Sequence, residues 1–219
     1  VSETIQLVSE VNLMDRIKYL KSVPDNFFDL AIDDPPYGIG RTWSKSRTDR
    51  FYRYNKLDGY VNNKIPSAQY FNLLRLKSKN QIIWGGNYFT KFLPPTNAWI
   101  VWDKNKGGTK NPMSDCELAW TNYTKVMRIV RLTWDGIRKC EPITKIHPHQ
   151  KPVKLYKWCL FEYAKLSPAS KIFDGHCGSG SSRIAAYDLN YNYYATEIDK
   201  KIYHNQQKRF VQHCSQLTL

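Results

Sequence analysis

The chain has no apolar run approaching the ~18 residues that a membrane-spanning helix needs, and no charged-then-apolar leader opens it. A soluble, cytoplasmic protein without a membrane span or secretory signal is therefore expected. Nor is there a paired Cys-x-x-Cys: the five cysteines, Cys116, Cys140, Cys159, Cys177 and Cys214, are odd in number and scattered, which argues against structural zinc and a disulfide framework. His176-Cys177 and His204 come nearest to metal ligands, but the first pair lies inside a glycine-rich loop and further ligands are missing. No metal is expected. Long Gly/Ser or Pro linkers, internal repeats and low-complexity tracts are also lacking, so the 219 residues read as one domain around one sizeable core. Acidic side chains are scarce, with 19 Asp and Glu against 33 Lys and Arg, a formal charge of +14. Such an excess points to a polyanionic partner.

Phe28-Asp29-Leu30-Ala31-Ile32-Asp33 is a short, largely apolar run ending at turn residues, the pattern of a buried strand. Asp34-Pro35-Pro36-Tyr37 then stands at a strand's carboxyl end, where open α/β sheets place ligands. Pro35 and Pro36 fix their own φ angles and push the residue before each away from helix. The loop is stiff, lacks two backbone donors and keeps its carbonyls as acceptors. An acid, an adjacent carbonyl and an aromatic face suit a planar ring with an exocyclic amino group: the acceptors take its hydrogens and Tyr37 stacks on its face. The same residues also suit a Pro-Pro turn with a solvated Asp and a core Tyr, because a four-residue match is a modest signal.

A second stretch narrows the choice. Lys171-Ile172-Phe173-Asp174 reads as a strand, Gly175-His176-Cys177-Gly178-Ser179-Gly180 as a loop whose glycines let backbone approach a ligand, and Ser181 to Leu189 as a helix. Tyr193-Tyr194-Ala195-Thr196-Glu197 follows as a strand ending in an acid, close to the ~20-residue spacing at which a carboxylate grips ribose hydroxyls in a Rossmann-like half. Further helical patterns fit Asp15 to Lys21, Ser67 to Lys77, Lys154 to Lys165 and Lys200 to His213, and further strands fit Ile82 to Phe89, Trp99 to Lys104, Leu118 to Thr121 and Met127 to Thr133. This alternation indicates an α/β, doubly wound sheet.

In this order along the chain, the two motifs resemble those of the beta (permuted) class of DNA amino methyltransferases, in which the catalytic tetrapeptide precedes the glycine-rich site for S-adenosylmethionine (AdoMet). The detailed resemblance is to phage-like enzymes of the N6-adenine type and extends through most of the chain. It includes Asp15, Ile82 to Phe89, Trp99 to Lys104, Cys116-Glu117-Leu118-Ala119-Trp120 and His147-Pro148-His149-Gln150-Lys151-Pro152. The last differs by His149 from the family's usual His-Pro-Thr-Gln-Lys-Pro. The resemblance implies a Rossmann-like AdoMet-dependent methyltransferase fold, a seven-stranded mostly parallel sheet with one antiparallel strand and helices on both faces. It implies Asp34, Pro35, Pro36 and Tyr37 as catalytic residues. For the cofactor it implies Asp15 at the adenine, Lys151 at the methionine carboxylate, and Asp34, Asp174, Gly178, Ser179, Gly180 and Glu197.

The implied reaction is methyl transfer from AdoMet to the exocyclic amine of a flipped-out adenine in double-stranded DNA. Cytosine N4 methylation uses nearly the same chemistry, although the family more often carries Ser at the Asp34 position for that base. A catalytically silent nucleic-acid-binding module of the same fold is the alternative from another class. A protein-glutamine methyltransferase also uses a Pro-Pro-Tyr loop, but its cofactor motif comes first. For partners, the resemblance allows a homodimer and a cognate restriction enzyme as a separate protein, in a prokaryotic or phage-infected cell.

The domain is expected to carry a mobile basic loop at about 41–66 and a small target-recognition insertion at about 104–146. In the first, Arg41, Lys45, Arg47, Arg50 and Arg53 interleave with Trp43, Phe51, Tyr52 and Tyr54, a pattern for phosphates and stacked bases. In the second, Lys125, Arg128, Arg131, Arg138 and Lys139 fit either DNA contact or a strand with one wet face.

Overall fold

Short runs, most of them buried at consecutive positions, build one sheet. In this computed structural model, which describes residues 7–39, 64–105, 114–134, 139–142, 145–147 and 149–216, the strands are β1 (Ser9–Leu13), β2 (Phe28–Asp33), β3 (Ser78–Trp84), β4 (Ile100–Asp103), β5 (Cys116–Thr121), β6 (Arg128–Arg131), β7 (Lys171–Asp174) and β8 (Asn192–Glu197). They lie in the order β1-β8-β7-β2-β3-β5-β4-β6. Among them only β5 is antiparallel to its neighbours, β3 and β4. The other pairings are parallel.

The helices are α1 (Arg16–Ser22), α2 (Ala68–Lys77), α3 (Val153–Lys157), α4 (Ser181–Asp188) and α5 (Lys200–Gln216). The period-two alternation of the strands divides the core in two. Leu30, Ile32, Ile82, Trp84, Ile172 and Tyr193 pack with Leu155, Leu160 and Ala185 from the α3 and α4 side. Phe28, Ala31, Ile83 and Phe173 pack with Leu20 of α1 and Tyr70, Phe71 and Leu74 of α2. The fold is therefore the expected Rossmann-like α/β architecture with helices on both faces. None of the described helices is long and apolar enough to cross a membrane.

The sheet has eight strands where seven were expected. The additional one, β1, buries Val11 alone among its five residues, so it lacks the apolar run of a central strand. Pairing with β8, from Ser9 opposite Tyr193 to Leu13 opposite Glu197, orders it at the edge.

Element boundaries also moved, two of them for visible reasons. The strand expected through Phe89 stops at Trp84, because Gly85 adopts φ +69° and leads into a 3-10 turn, Gly86–Tyr88. A side chain there would meet the Tyr37 ring, with a Cβ only 2.1 Å from the nearest ring carbon. The helix expected over Lys154 to Lys165 begins as α3 and widens into a π-helical stretch, Trp158–Tyr163, with the Ala164 N–H donating to the Cys159 carbonyl at 2.9 Å.

Candidate active site

Four neighbouring parallel strands, β1, β8, β7 and β2, end on one edge of the sheet, and each delivers a carboxylate there. Asp15 follows β1, Glu197 ends β8, Asp174 ends β7 and Asp34 follows β2. Asp15 caps α1, its Oδ1 accepting from the Ile17 and Lys18 N–H groups at 2.9 and 3.0 Å.

At the end of β2 the Asp34 carboxylate accepts from the Tyr37 hydroxyl on Oδ1 at 2.7 Å and pairs with Lys151 on Oδ2 at 2.5 Å. Lys151 arrives from the segment before α3, where Pro152 is the N-cap. Each of its three ammonium donors has a side-chain oxygen in reach: Asp34, the Tyr37 hydroxyl at 3.0 Å and Glu117 Oε2 at 3.2 Å. A cofactor carboxylate at Lys151 would have to replace one of them. Burial pulls the Lys151 pKa down, but Asp34 and Glu117 outweigh it and hold the lysine charged. Burial, reinforced by Asp34 and Glu117, raises Tyr37 well above the ordinary phenol value, so it remains a hydroxyl donor. The Tyr37 ring stacks on the half-exposed Tyr88 with centroids 5.0 Å apart.

The loop after β7 is braced from within. Asp174 Oδ1 accepts from the His176 N–H at 2.9 Å, and Oδ2 accepts from the Ser182 and Tyr193 hydroxyls at 2.5 and 3.2 Å. Burial, with the nearby Asp33 charge, pushes Asp174 up to about 8. Gly178 and Gly180 take φ +53° and +73°, which favours glycine. Glu197 Oε2 accepts the Gly178 N–H at 3.0 Å, while Oε1 accepts those of Ile198 and Asp199 at 2.9 Å each. Arg209 of α5 secures Ser179 from behind, donating to its carbonyl at 2.8 Å.

Several residues to which the sequence assigned no part in the site join the two loops. Asp33, fully buried, receives the Tyr70 hydroxyl and the His176 ring, with Nδ1 2.8 Å from Oδ1. Arg16 lies over the Tyr70 ring at 5.2 Å. Gly175 is required because a Cβ there would fall 2.1 Å from the Tyr70 hydroxyl oxygen. Glu117, quoted above without a role, bridges Lys151 and Lys104, the latter at 3.0 Å. The only signal for it in the sequence is its place in the resemblance.

Arg41, Lys45, Arg47, Arg50 and Arg53 lie outside the described residues, as does Arg138. Arg128 and Arg131 are exposed on β6, the last strand of the sheet. Lys125 turns inward, its ammonium 4.6 and 4.7 Å from the centres of the Tyr123 and Tyr163 rings. The stretch does form a strand at β6, but not with the expected apolar face inward: Val126 and Ile129 are exposed and Val130 is the buried residue. Both β5 and β6 fall within the range expected for the insertion and belong to the sheet.

Comparison with known proteins adds the family. The type II methyltransferase M.HpaI of Haemophilus parainfluenzae is 24% identical over 221 residues, covering 84% of this chain and 68% of its own. The structure of TTHA0409 from Thermus thermophilus, described as a DNA modification methylase and solved in complex with S-adenosyl-L-methionine, shares the fold at TM-score 0.58 and 13% identity, covering 94% of each chain. The PvuII DNA methyltransferase, cytosine-N4-specific, shares it at TM-score 0.63 and 12% identity, over 92% of this chain and 86% of the other. A family model described as DNA methylase matches residues 75–208, from α2 into α5, which takes in the glycine loop, Glu117 and Lys151. By that match this chain belongs to the N6/N4 DNA methylase family.

Proposed function

We propose that this chain transfers the methyl group of AdoMet to the exocyclic N6 of an adenine flipped out of double-stranded DNA, as a permuted, beta-class enzyme. One observation carries the reading: the acceptor loop of Asp34 and Pro35 and the glycine loop 174–180 stand on adjacent parallel strands, β2 and β7. Ligands of open α/β sheets bind at such carboxyl ends. That the acceptor loop comes first along the chain supports the permuted class.

AdoMet fits the second loop. A Cβ added at Gly178 would project into space where, among the described residues and apart from its two chain neighbours, only the His176 carbonyl oxygen comes within 4 Å, at 3.6 Å. Glu197 and Asp15 offer carboxylates to ribose and adenine from the ends of β8 and β1. Asp174 supports the loop through its hydrogen bonds, and Gly178, Ser179 and Gly180 form its wall. When bound, AdoMet supplies an electrophilic methyl group on a sulfonium.

The protein's part is acceptance and positioning. An amino nitrogen conjugated with a purine is a poor nucleophile. Asp34 and the Pro35 carbonyl, accepting its two hydrogens, favour a pyramidal nitrogen with its lone pair free for in-line attack. Among the described residues each Asp34 oxygen has one donor, which leaves it a second lone pair for the amine. Asp34 takes the proton only after the methyl arrives, because a carboxylate is a weak base toward a neutral conjugated amine. Stacking on Tyr37 offsets part of the few kcal/mol that unstacking the base costs.

Asp rather than Ser at position 34 supports adenine. Cytosine N4 is the second reading, favoured by the likeness to the PvuII enzyme. Arg41, Lys45, Arg47, Arg50 and Arg53 are assigned to phosphates, in keeping with the +14 charge. Nucleoside analysis of DNA treated with the protein and AdoMet tests the assignment. N6-methyladenine is expected, and N4-methylcytosine as the sole product would replace the target base.

A further inference from the structure

We propose that Glu117 is a positioning residue for methyl transfer, acting through Lys151: it divides the lysine between two carboxylates and so keeps Asp34 an effective acceptor. The inference rests on the reading of Asp34 given above and extends it to a side chain on β5, the antiparallel strand.

Lys104, Glu117, Lys151 and Asp34 form a row of alternating charge, with contacts of 3.0, 3.2 and 2.5 Å in turn. The Tyr37 hydroxyl lies beside three of the four, 2.7 Å from Asp34, 3.0 Å from Lys151 and 3.5 Å from Glu117. The side chain of Lys151 is 6% exposed and that of Asp34 17%. At such burial, solvent screens their attraction weakly. An ammonium held by Asp34 alone would withdraw charge from the carboxylate that must accept the amine hydrogen. Glu117 draws the same ammonium the other way and completes its set of three acceptors, which fixes where Nζ stands. Lys104 in turn balances Glu117. Burial favours a neutral Glu117, but Lys151 and Lys104 overcome it and bring its pKa to about 2, so the charge on which the balance depends is present at any working pH.

The test compares wild type, Glu117→Gln, Glu117→Asp, Lys151→Met and the Glu117→Gln/Lys151→Met double variant. It measures methyl transfer to unmethylated genomic DNA at saturating AdoMet, and AdoMet affinity by calorimetry. Glu117→Gln is expected to lower kcat about 10- to 100-fold, the scale of an ångström-level displacement of a reacting group, with AdoMet Kd unchanged. Glu117→Asp, which keeps the charge, is expected to recover part of that rate. In the Lys151→Met background Glu117→Gln should cost little more, because a residue that acts through another has nothing left to act through. A Glu117→Gln kcat equal to wild type overturns the proposal, as do losses that multiply in the double variant. Should the Gln variant fail to fold in a melting assay, Glu117→Asp decides: a reduced kcat at unchanged affinity supports the role and a wild-type kcat overturns it. Absence of DNA methylation by the wild type would fault the functional reading itself and is distinguished at the first step.

Discussion

At the scale of single residues, Asp34 and Asp174 are two carboxylates on neighbouring strands in opposite surroundings. Asp34 is partly exposed and faces donors. Replacing it with Ala is expected to cost about 10²–10⁴ in kcat while AdoMet affinity, measured by calorimetry, stays near wild type. Asp174 is sealed, and burial pushes its pKa from 3.8 up to about 8. Its folded-state pKa is thus raised, so its contribution to stability is complete below pH 3.8 and is lost as pH rises toward 8. Asp174→Asn removes that loss: its amide oxygen can still accept the His176 N–H, and the Ser182 and Tyr193 hydroxyls can rotate. The melting temperature of the cofactor-free variant at about pH 8 should exceed that of wild type by on the order of 5 °C, with no gain at about pH 4. Glu117 behaves in the reverse sense, its stabilisation present above pH 4.5 and lost as pH falls toward 2.

At the scale of elements, what the sequence disclosed depended on whether a signal was local. The run before Asp34, the paired prolines, the glycines after Asp174 and the acid at the end of β8 each declare their geometry within a few residues. Strands β2 and β7 accordingly have the expected bounds. Strand β1 carries one inward apolar residue and takes its order from β8, so nothing local marks it. The same holds for the link between Asp33 and His176, 143 residues apart, and for Glu117, whose meaning depends on lysines from two other segments. Arg183 shows such a long-range tie with a measurable consequence. From α4 it donates to the Ser9 carbonyl at 2.8 Å and to Gln206 and Gln207 of α5 at 3.1 and 2.6 Å, and its guanidinium lies 3.8 Å from the centre of the Phe210 ring. Arg183→Met would keep the aliphatic packing and take this donor from the buried Gln206 and the half-buried Ser9 and Gln207 acceptors. It should lower unfolding free energy by about 2–4 kcal/mol in urea titration; a loss under about 0.5 kcal/mol would show that the tie is not structural.

At the scale of the whole molecule, the positive charge bears on partners rather than on the fold. If Lys45 and Arg50 engage phosphates, replacing either with Ala weakens binding and makes the plot of log K against log salt shallower by about 0.9 per contact. An unchanged slope in filter-binding titrations would remove them from the interface. The central claim is that an amine-accepting loop on β2 and a cofactor loop on β7 together methylate DNA. Its most direct test is transfer of label from AdoMet to unmethylated genomic DNA by wild type and Asp34→Ala protein side by side, with nucleoside analysis of the product. Label in N6-methyladenine is expected with wild type, and about 10²–10⁴-fold slower labelling with the variant. Asp34→Ala protein that labels DNA at the wild-type rate, or wild-type protein that binds AdoMet and leaves DNA unlabelled, would contradict the proposed function.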